Sequence, residues 1–221
     1  MAVWAILVAA GRGDRLGLDH PKAFAKLGED ALLAEPLRRL DESDWIDAIV
    51  LVAPPGWEEP AILLAEELGC GKVSACVAGG DTRAASVRAG LGEVPADAVV
   101  VLVHDAARPL LPEDVLERVL GALSEGWDGV VPGLPVPDTL KRVDAEGAVS
   151  ETVAREGIHA IQTPQAFPAD VLRRAVEAGG DATDCAGLVE AGGGRVKVVP
   201  GDHRLLKVTT ADDLARIASW L

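Results

Sequence analysis

The chain has 221 residues, 49% of them apolar, and a formal net charge of −14 at pH 7. That length and apolar content suit one folded domain with a substantial core and exclude disorder. The acidic balance excludes general binding to a nucleic-acid backbone, and two phenylalanines with no tyrosine argue against an aromatic platform for stacked bases.

The apolar run at 2–10 is short, has no basic stretch ahead of it and leads into a charged glycine loop, so it reads as a strand at 3–10 rather than a leader. No segment approaches transmembrane length, and a cytoplasmic protein without membrane or nucleic-acid partners is expected. Further strands are predicted at 46–53, 72–77 and 98–103, with helices at 32–40, 57–68 and 82–91 between them. A helix at 112–123 follows, with Pro112 at its start and acids in its first turn, then a strand at 127–132. Near-continuous apolar strands alternating with helical patterns predict an α/β fold, a parallel sheet covered on both faces.

From 135 to 157 the chain turns polar and alternating, which predicts a hairpin arm with strands at 138–143 and 148–153 around a turn at 144–147. A lone two-stranded hairpin is marginal in water, so this arm is expected to pack on something else, a second copy of the chain being the obvious candidate. Helices at 168–177 and 184–190, a strand at 195–199 and a helix at 210–220 complete the order, the last opened by Thr210 with Asp213 three residues on. No repeat or linker divides the sequence, so 1–221 is read as one domain. Cys70, Cys76 and Cys185 leave an odd thiol under any pairing and match no zinc spacing, which points to idle thiols in a reducing compartment.

The strongest chemical signal is AAGRGDRLGLDHPK, directly after the first strand. Gly11, Gly13 and Gly17 let backbone amides approach an anion, and Arg12, Arg15, Lys22 and Lys26 gather positive charge opposed only by Asp14 and Asp19. The spacing is neither the dinucleotide fingerprint nor a Walker loop. A guanidinium and an ammonium on one triphosphate would neutralise charge that grows during phosphoryl or nucleotidyl transfer; a solvated surface turn is the plainer alternative. The second signal is VHDAARP, 103–109, at the end of the fourth strand, where ligands of open parallel sheets sit. Asp105 there suits Mg²⁺ against a triphosphate and Arg108 a second anion, the alternative being a capping Asp and a surface Arg; His104 reads as structural. The third, AGGDTRAASV, places Gly79 and Gly80 before a helix capped by Asp81 or Thr82, with Arg83 and Ser86 one turn apart and able to face one ligand. Gln162 and Thr163, in a later polar cluster, read on their own as surface chemistry.

These blocks, with DTLKRV, QTPQAF, ATDCAGLVE and LLKVTT in the same order, resemble the 2-C-methyl-D-erythritol 4-phosphate cytidylyltransferases across essentially the whole chain. The resemblance implies a Rossmann-like, mostly parallel twisted sheet with helices on both faces and a β-hairpin dimerisation arm. It implies an enzyme of non-mevalonate isoprenoid biosynthesis that joins CTP to a polyol phosphate with Mg²⁺, working as a homodimer that exchanges arms. Arg15, Lys22 and Lys207 would be catalytic. Ala9, Ala10, Gly11, Gly13, Gly80, Asp81, Ser86, Asp105 and Ala106 would bind the nucleotide, with Asp105 also at the metal. Arg108, Arg155, Thr163, Thr183 and the partner's Thr139 would hold methylerythritol phosphate. No general base is needed, because the attacking phosphate monoester is already an anion. Four positions depart from the family pattern: Cys185 for an acid, Leu205 for Asn, Ala84 for Gln and His159 for Trp. A ribitol 5-phosphate cytidylyltransferase is the neighbouring alternative. A non-catalytic nucleotide-binding regulator is disfavoured by the presence of Lys22, Asp105 and Lys207, and a dehydrogenase by the glycine spacing.

Overall fold

The computed structural model describes residues 2–11, 13–180 and 182–221, apart from the side chain of Asp14; Arg12, one of the basic loop residues singled out above, lies outside the described residues. Strands β1 (Val3–Val8), β4 (Ala48–Ala53), β5 (Val73–Ala78) and β6 (Val100–Asp105) form the parallel half of the main sheet. Helices α1 (Ala34–Glu42), α2 (Glu58–Glu67) and α3 (Arg83–Glu93) connect them, with the two-residue strands β2 (Lys26–Leu27) and β3 (Asp30–Ala31) paired ahead of α1. Helix α4 (Glu113–Leu123) leads to β7 (Gly129–Pro135); the hairpin β8 (Leu140–Val143) and β9 (Val149–Val153) follows, then β10 (His159–Ile161) and β11 (Gln165–Pro168). Helices α5 (Ala169–Ala178) and α6 (Cys185–Ala191), strand β12 (Val196–Pro200) and helix α7 (Ala211–Ala218) end the order. The sheet runs β10-β7-β11-β6-β1-β4-β5, with β12 parallel to β7.

Alternation along the central strands builds two cores. Ala5 and Leu7 of β1, Ile49 and Leu51 of β4 and Leu102 of β6 pack on one face with Leu37 and Leu40 of α1, Ala61 of α2 and Val115 and Val119 of α4. Ile6, Val50, Val52, Val101 and Val103 face the other way, onto Val87 and Leu91 of α3, Leu172 and Val176 of α5 and Leu188 of α6. Strands covered on both faces must be apolar at every position, which is why they read as continuous hydrophobic runs. The expected α/β architecture, a mostly parallel sheet between two helical layers, is what forms. Among the described residues no helix is long and apolar enough to cross a membrane.

Among the differences from the sequence expectation, two set the strand order and the end of the sheet beside the cavity. Strand β11 is inserted antiparallel between β6 and β7, and β10 also pairs antiparallel with β7. The stretch IQTPQAF conceals them, since its strands are short and separated by Pro164 among polar residues. Strand β6 also extends to Asp105, two residues beyond the expected end, because Asp105 remains in register with Val8. The arm forms as expected: Asp144 Oδ1 accepts from the amides of Glu146 and Ala148, and Gly147 takes φ +84° in the turn. Its Val143 and Val149 are 54% and 60% exposed. The capping box at Thr210 and Asp213 is present.

Phe167 is the largest fully buried side chain and fills the space above Gly129, where a Cβ would come within 2.7 Å of its ring. It ties the antiparallel insertion to the α5–α6 face of the sheet by packing alone. Phe167→Ala is expected to cost about 3–5 kcal/mol of unfolding free energy, read from the urea midpoint at unchanged m-value.

Candidate active site

The carboxyl ends of β1, β4 and β6 open into a cavity of about 890 Å³, the size of a nucleotide-scale ligand site. Its wall includes every residue expected to act on the nucleotide or in catalysis: Ala9, Ala10, Gly11, Gly13, Arg15, Lys22, Gly80, Asp81, Ser86, Asp105, Ala106 and Lys207. Among the described residues, four cations (Arg15, Lys22, Arg83, Lys207) face two carboxylates (Asp81, Asp105) there, in a chain that is strongly acidic overall. The fold brings most of these residues together because their loops follow β1, β5 and β6 of one parallel set, and Lys207 joins them from the segment ahead of α7.

The glycine loop shapes the wall by close approach. Gly13 has φ +75°, and a Cβ on it would lie 2.5 Å from Lys22 Cβ, so its bareness lets the lysine stem pack across the loop. Lys22 starts a 3₁₀ turn, Lys22–Phe24, and its Nζ donates to the carbonyl oxygen of Val208 at 3.1 Å. Burial, then repulsion from Lys207, brings the Lys22 ammonium down to about 8. A Cβ on Gly79 would run into Ala10, so the first loop and the turn before α3 touch directly.

Asp105 is the anchor of the charge network. Its Oδ1 accepts from Arg83 Nε at 3.0 Å and its Oδ2 from Lys207 Nζ at 2.7 Å. Burial alone would raise this carboxyl, but Arg83 and Lys207 outweigh it and hold it well below the ordinary carboxylate range. Asp105 therefore presents an ionised hard-oxygen donor in the cavity wall. That chemistry fits Mg²⁺, which takes one or two carboxylates and completes its shell with phosphate and water oxygens.

Arg83 and Ser86, expected to be able to face one ligand, both line the cavity. The Arg83 guanidinium donates to Asp105 and, at 3.3 Å, to Cys185 Sγ. Ser86 is 2% exposed; its hydroxyl accepts from Gly80 N at 3.1 Å and donates to Thr82 O, which sets the turn. Thr82, not Asp81, caps α3, accepting from Ala85 N at 3.0 Å. Trp57 is a cavity residue that the sequence does not mark: it lines the wall and stacks obliquely on Phe24 at 4.6 Å. Its place just after Pro54 and Pro55, in an ordinary-looking helix start, gives no signal. Gln162 is buried rather than superficial, and clamps Asp202 through both its N–H and its carbonyl.

The residues expected to hold the acceptor lie outside the wall of this cavity. Arg108 spends its guanidinium on the carbonyls of Leu205, at 2.5 Å, and Ile161. Thr163 is buried, and Thr183 lines a separate small cleft with Arg83 and Cys185. Thr139 and Arg155 lie exposed at the base of the arm, where Arg155 donates to Pro137 O. Leu205, standing where the family pattern has Asn, is fully buried and contributes only its carbonyl.

A family model described as IspD: 2-C-methyl-D-erythritol 4-phosphate cytidylyltransferase matches residues 3–221. The chain is 48% identical over 219 residues to the 2-C-methyl-D-erythritol 4-phosphate cytidylyltransferase of Saccharopolyspora erythraea, covering 97% of each. It is 46% identical to that of Nocardia farcinica over 220 residues, covering 100% of this chain and 94% of the relative. Its fold matches the crystal structure of the Thermus thermophilus protein of the same description with a TM-score of 0.79 at 34% identity, over 100% of this chain and 98% of the other.

The depressed Lys22 ammonium carries a sign for ligand binding. In the free protein it is protonated below about 8, and a bound triphosphate favours the protonated form and raises its pKa. Binding above that pH must therefore take up a proton. Affinity for CTP is expected to fall about tenfold between roughly pH 7 and pH 9, and Lys22→Arg, whose charge is fixed, should flatten that slope; calorimetric titration across the range measures both.

Proposed function

Because the chain belongs to the 2-C-methyl-D-erythritol 4-phosphate cytidylyltransferase family, we infer that the cavity at the ends of β1, β4 and β6 holds CTP and is the nucleotide half of its active site. The enzyme is a nucleotidyltransferase of isoprenoid biosynthesis: it joins CTP to 2-C-methyl-D-erythritol 4-phosphate, giving 4-diphosphocytidyl-2-C-methyl-D-erythritol and pyrophosphate. The observation that supports the residue assignment is the gathering of Arg15, Lys22 and Lys207 with the glycine-loop wall in one cavity.

In this reading the loop from Ala9 to Gly13 cradles the phosphates with backbone groups, and Gly80, Asp81, Ser86 and Ala106 shape the nucleoside end. The acceptor's phosphate oxygen attacks the α-phosphorus, and pyrophosphate leaves with the electron pair of the broken P–O bond. Negative charge then spreads over the α-phosphate and the leaving group. Lys22, Arg15 and Lys207 lie on the cavity wall to stabilise it, with no proton transfer required. Lys207 is well suited because its ammonium already faces Asp105 yet its side chain stays 40% exposed, so it can lean toward a phosphate without leaving its counter-ion. Asp105 would hold Mg²⁺, which when bound supplies further charge neutralisation across the phosphates. The acceptor would be held by Arg108, Arg155, Thr163 and Thr183 together with Thr139 from the arm of a second subunit in a cytoplasmic homodimer. What supports the shared arrangement is that Thr139 lies exposed on a hairpin carrying exposed valines, away from the cavity.

Pyrophosphate release from CTP and Mg²⁺, with methylerythritol phosphate and ribitol phosphate offered separately, tests acceptor choice; turnover is expected with the first, and a preference for the second would overturn it. Lys22→Ala should lower kcat about 10²–10³-fold. Thr139→Ala should also be impaired, and mixing the two variants should regenerate sites in which Lys22 and Thr139 come from different chains. Random pairing predicts recovery of about a quarter of the wild-type rate. No recovery from mixed chains that do exchange subunits would sink the shared site.

A further inference from the structure

Trp57 is the only aromatic residue among the described residues that line the cavity, and none of the roles proposed above falls to it. It stands at the N-cap position of α2 with no side-chain hydrogen bond to the first turn, where an Asp, Asn, Ser or Thr would satisfy a free amide. The helix gains nothing from this choice, and such breaks of a local rule are expected at functional sites. The backbone sets the residue between the two loops that hold the nucleotide in the reading above. Ala9 N donates to Val52 O and Gly79 N to Ala53 O, each at 2.8 Å. The end of β4 is thus bonded to the glycine loop on one side and to the turn before α3 on the other. Pro54 and Pro55 carry the chain out from there, and Trp57 N closes a turn onto Pro54 O at 2.9 Å. The half-buried indole rests on Phe24, which itself packs on the core shared with α1, α2 and α4.

We propose that Trp57 is a further nucleotide-binding residue of this chain, packing its indole against the cytosine ring of CTP. An indole already held against a core-anchored ring has little conformational freedom left to lose when a ligand arrives. Pro54 and Pro55 line the same stretch of wall and keep it apolar, while Arg15, Lys22 and Lys207 stand on other segments. A flat apolar ring there suits a nucleobase and offers nothing to a phosphate. Because a ring face is indifferent to the edge groups of a base, Trp57 adds affinity and orientation and leaves the choice of base to polar groups elsewhere on the wall. The proposal rests on the reading of the cavity as the CTP site and deepens it.

Calorimetric titrations with CTP and, separately, with inorganic tripolyphosphate, both with Mg²⁺, test it. Trp57→Ala should weaken CTP at least about fivefold, the low end for losing one base–aromatic stack, and tripolyphosphate by less than about twofold. Trp57→Phe, which restores a ring, should bring CTP back to within about threefold of wild type. Unchanged CTP affinity in Trp57→Ala, equal losses for the two ligands, or no recovery with Phe would each overturn the proposal. Fluorescence gives an independent reading, because Trp4, Trp45, Trp127 and Trp220 lie off the cavity wall. Saturating CTP should change the emission of the wild-type protein and not that of Trp57→Phe. A change of the same size in both, or in neither, would overturn the contact. If Trp57→Ala does not fold, Trp57→Leu, which keeps an apolar side chain on Phe24 without a flat ring, takes its place in the same comparison. Lys22→Ala separates the two readings. Wild-type affinity for both ligands in that variant would fail the site assignment, while its loss of both beside unchanged binding by Trp57→Ala would fail the proposal alone.

Discussion

Asp105 is a nearly buried carboxylate, 6% exposed, whose two oxygens are taken by cations from distant parts of the chain. Moving such charges out of water costs several kcal/mol per ion, and that cost is recovered only when the partners are close and every remaining polar group is met. Here Arg83 arrives from the first turn of α3 and Lys207 from the segment ahead of α7, while the backbone beside the carboxylate is held by Thr163. Removing either cation would leave the carboxylate undercompensated, so the pairings fix three segments relative to one another. The location of the cavity follows: it lies where the strand bearing Asp105 ends and the loops bearing its partners must approach.

The same local arrangement of charge explains how an acidic protein binds a polyanion. A net charge of −14 repels nucleotides at long range, but fields inside a low-dielectric cleft follow its own lining. Burial, and after it repulsion from Lys207, lowers the pKa of the Lys22 ammonium. A triphosphate placed between them relieves that repulsion and favours the charged form against its burial. A ligand of the opposite charge would offset that repulsion, as the proposed triphosphate does.

The fold was legible wherever one strand lay between two covered faces, because the buried stretches of β1, β4 and β6 carry almost no polar position to confuse the pattern. The cavity wall was legible for a related reason: most of its residues sit in loops contiguous in sequence, marked by glycines such as Gly13 that another backbone or side chain must approach. Strand β11 was not, since Gln165 and Pro164 look like a turn until β6 and β7 are known to flank them. The partner of Arg83 was hidden for a different reason. Helical spacing says which side chains share a face, but a long guanidinium chooses its partner by charge, and Asp105 lies 22 residues away. Gln162 and Thr163 likewise serve partners 40 and 58 residues distant, a distance at which no local pattern survives.

The two halves of the reaction place different demands on a chain. A phosphate cradle needs backbone amides at close range, which one rigid loop after one strand can supply. Recognition of a small polyol phosphate needs several side chains converging from different directions, and here the residues expected to do so come from several segments and lie outside the wall of the large cavity. If they were to meet without a second subunit, the arm would have to fold back over its own cavity. It instead forms an exposed two-stranded ribbon, with Val143 and Val149 turned to solvent and a cross-strand ion pair between Arg142 and Glu151 among its polar ties. A ribbon of that size is marginal by itself, and apolar side chains on it favour a covering surface. On the reading proposed here, that surface belongs to another copy of the chain, so that the cover which stabilises the arm is the same contact that completes the acceptor half of the site.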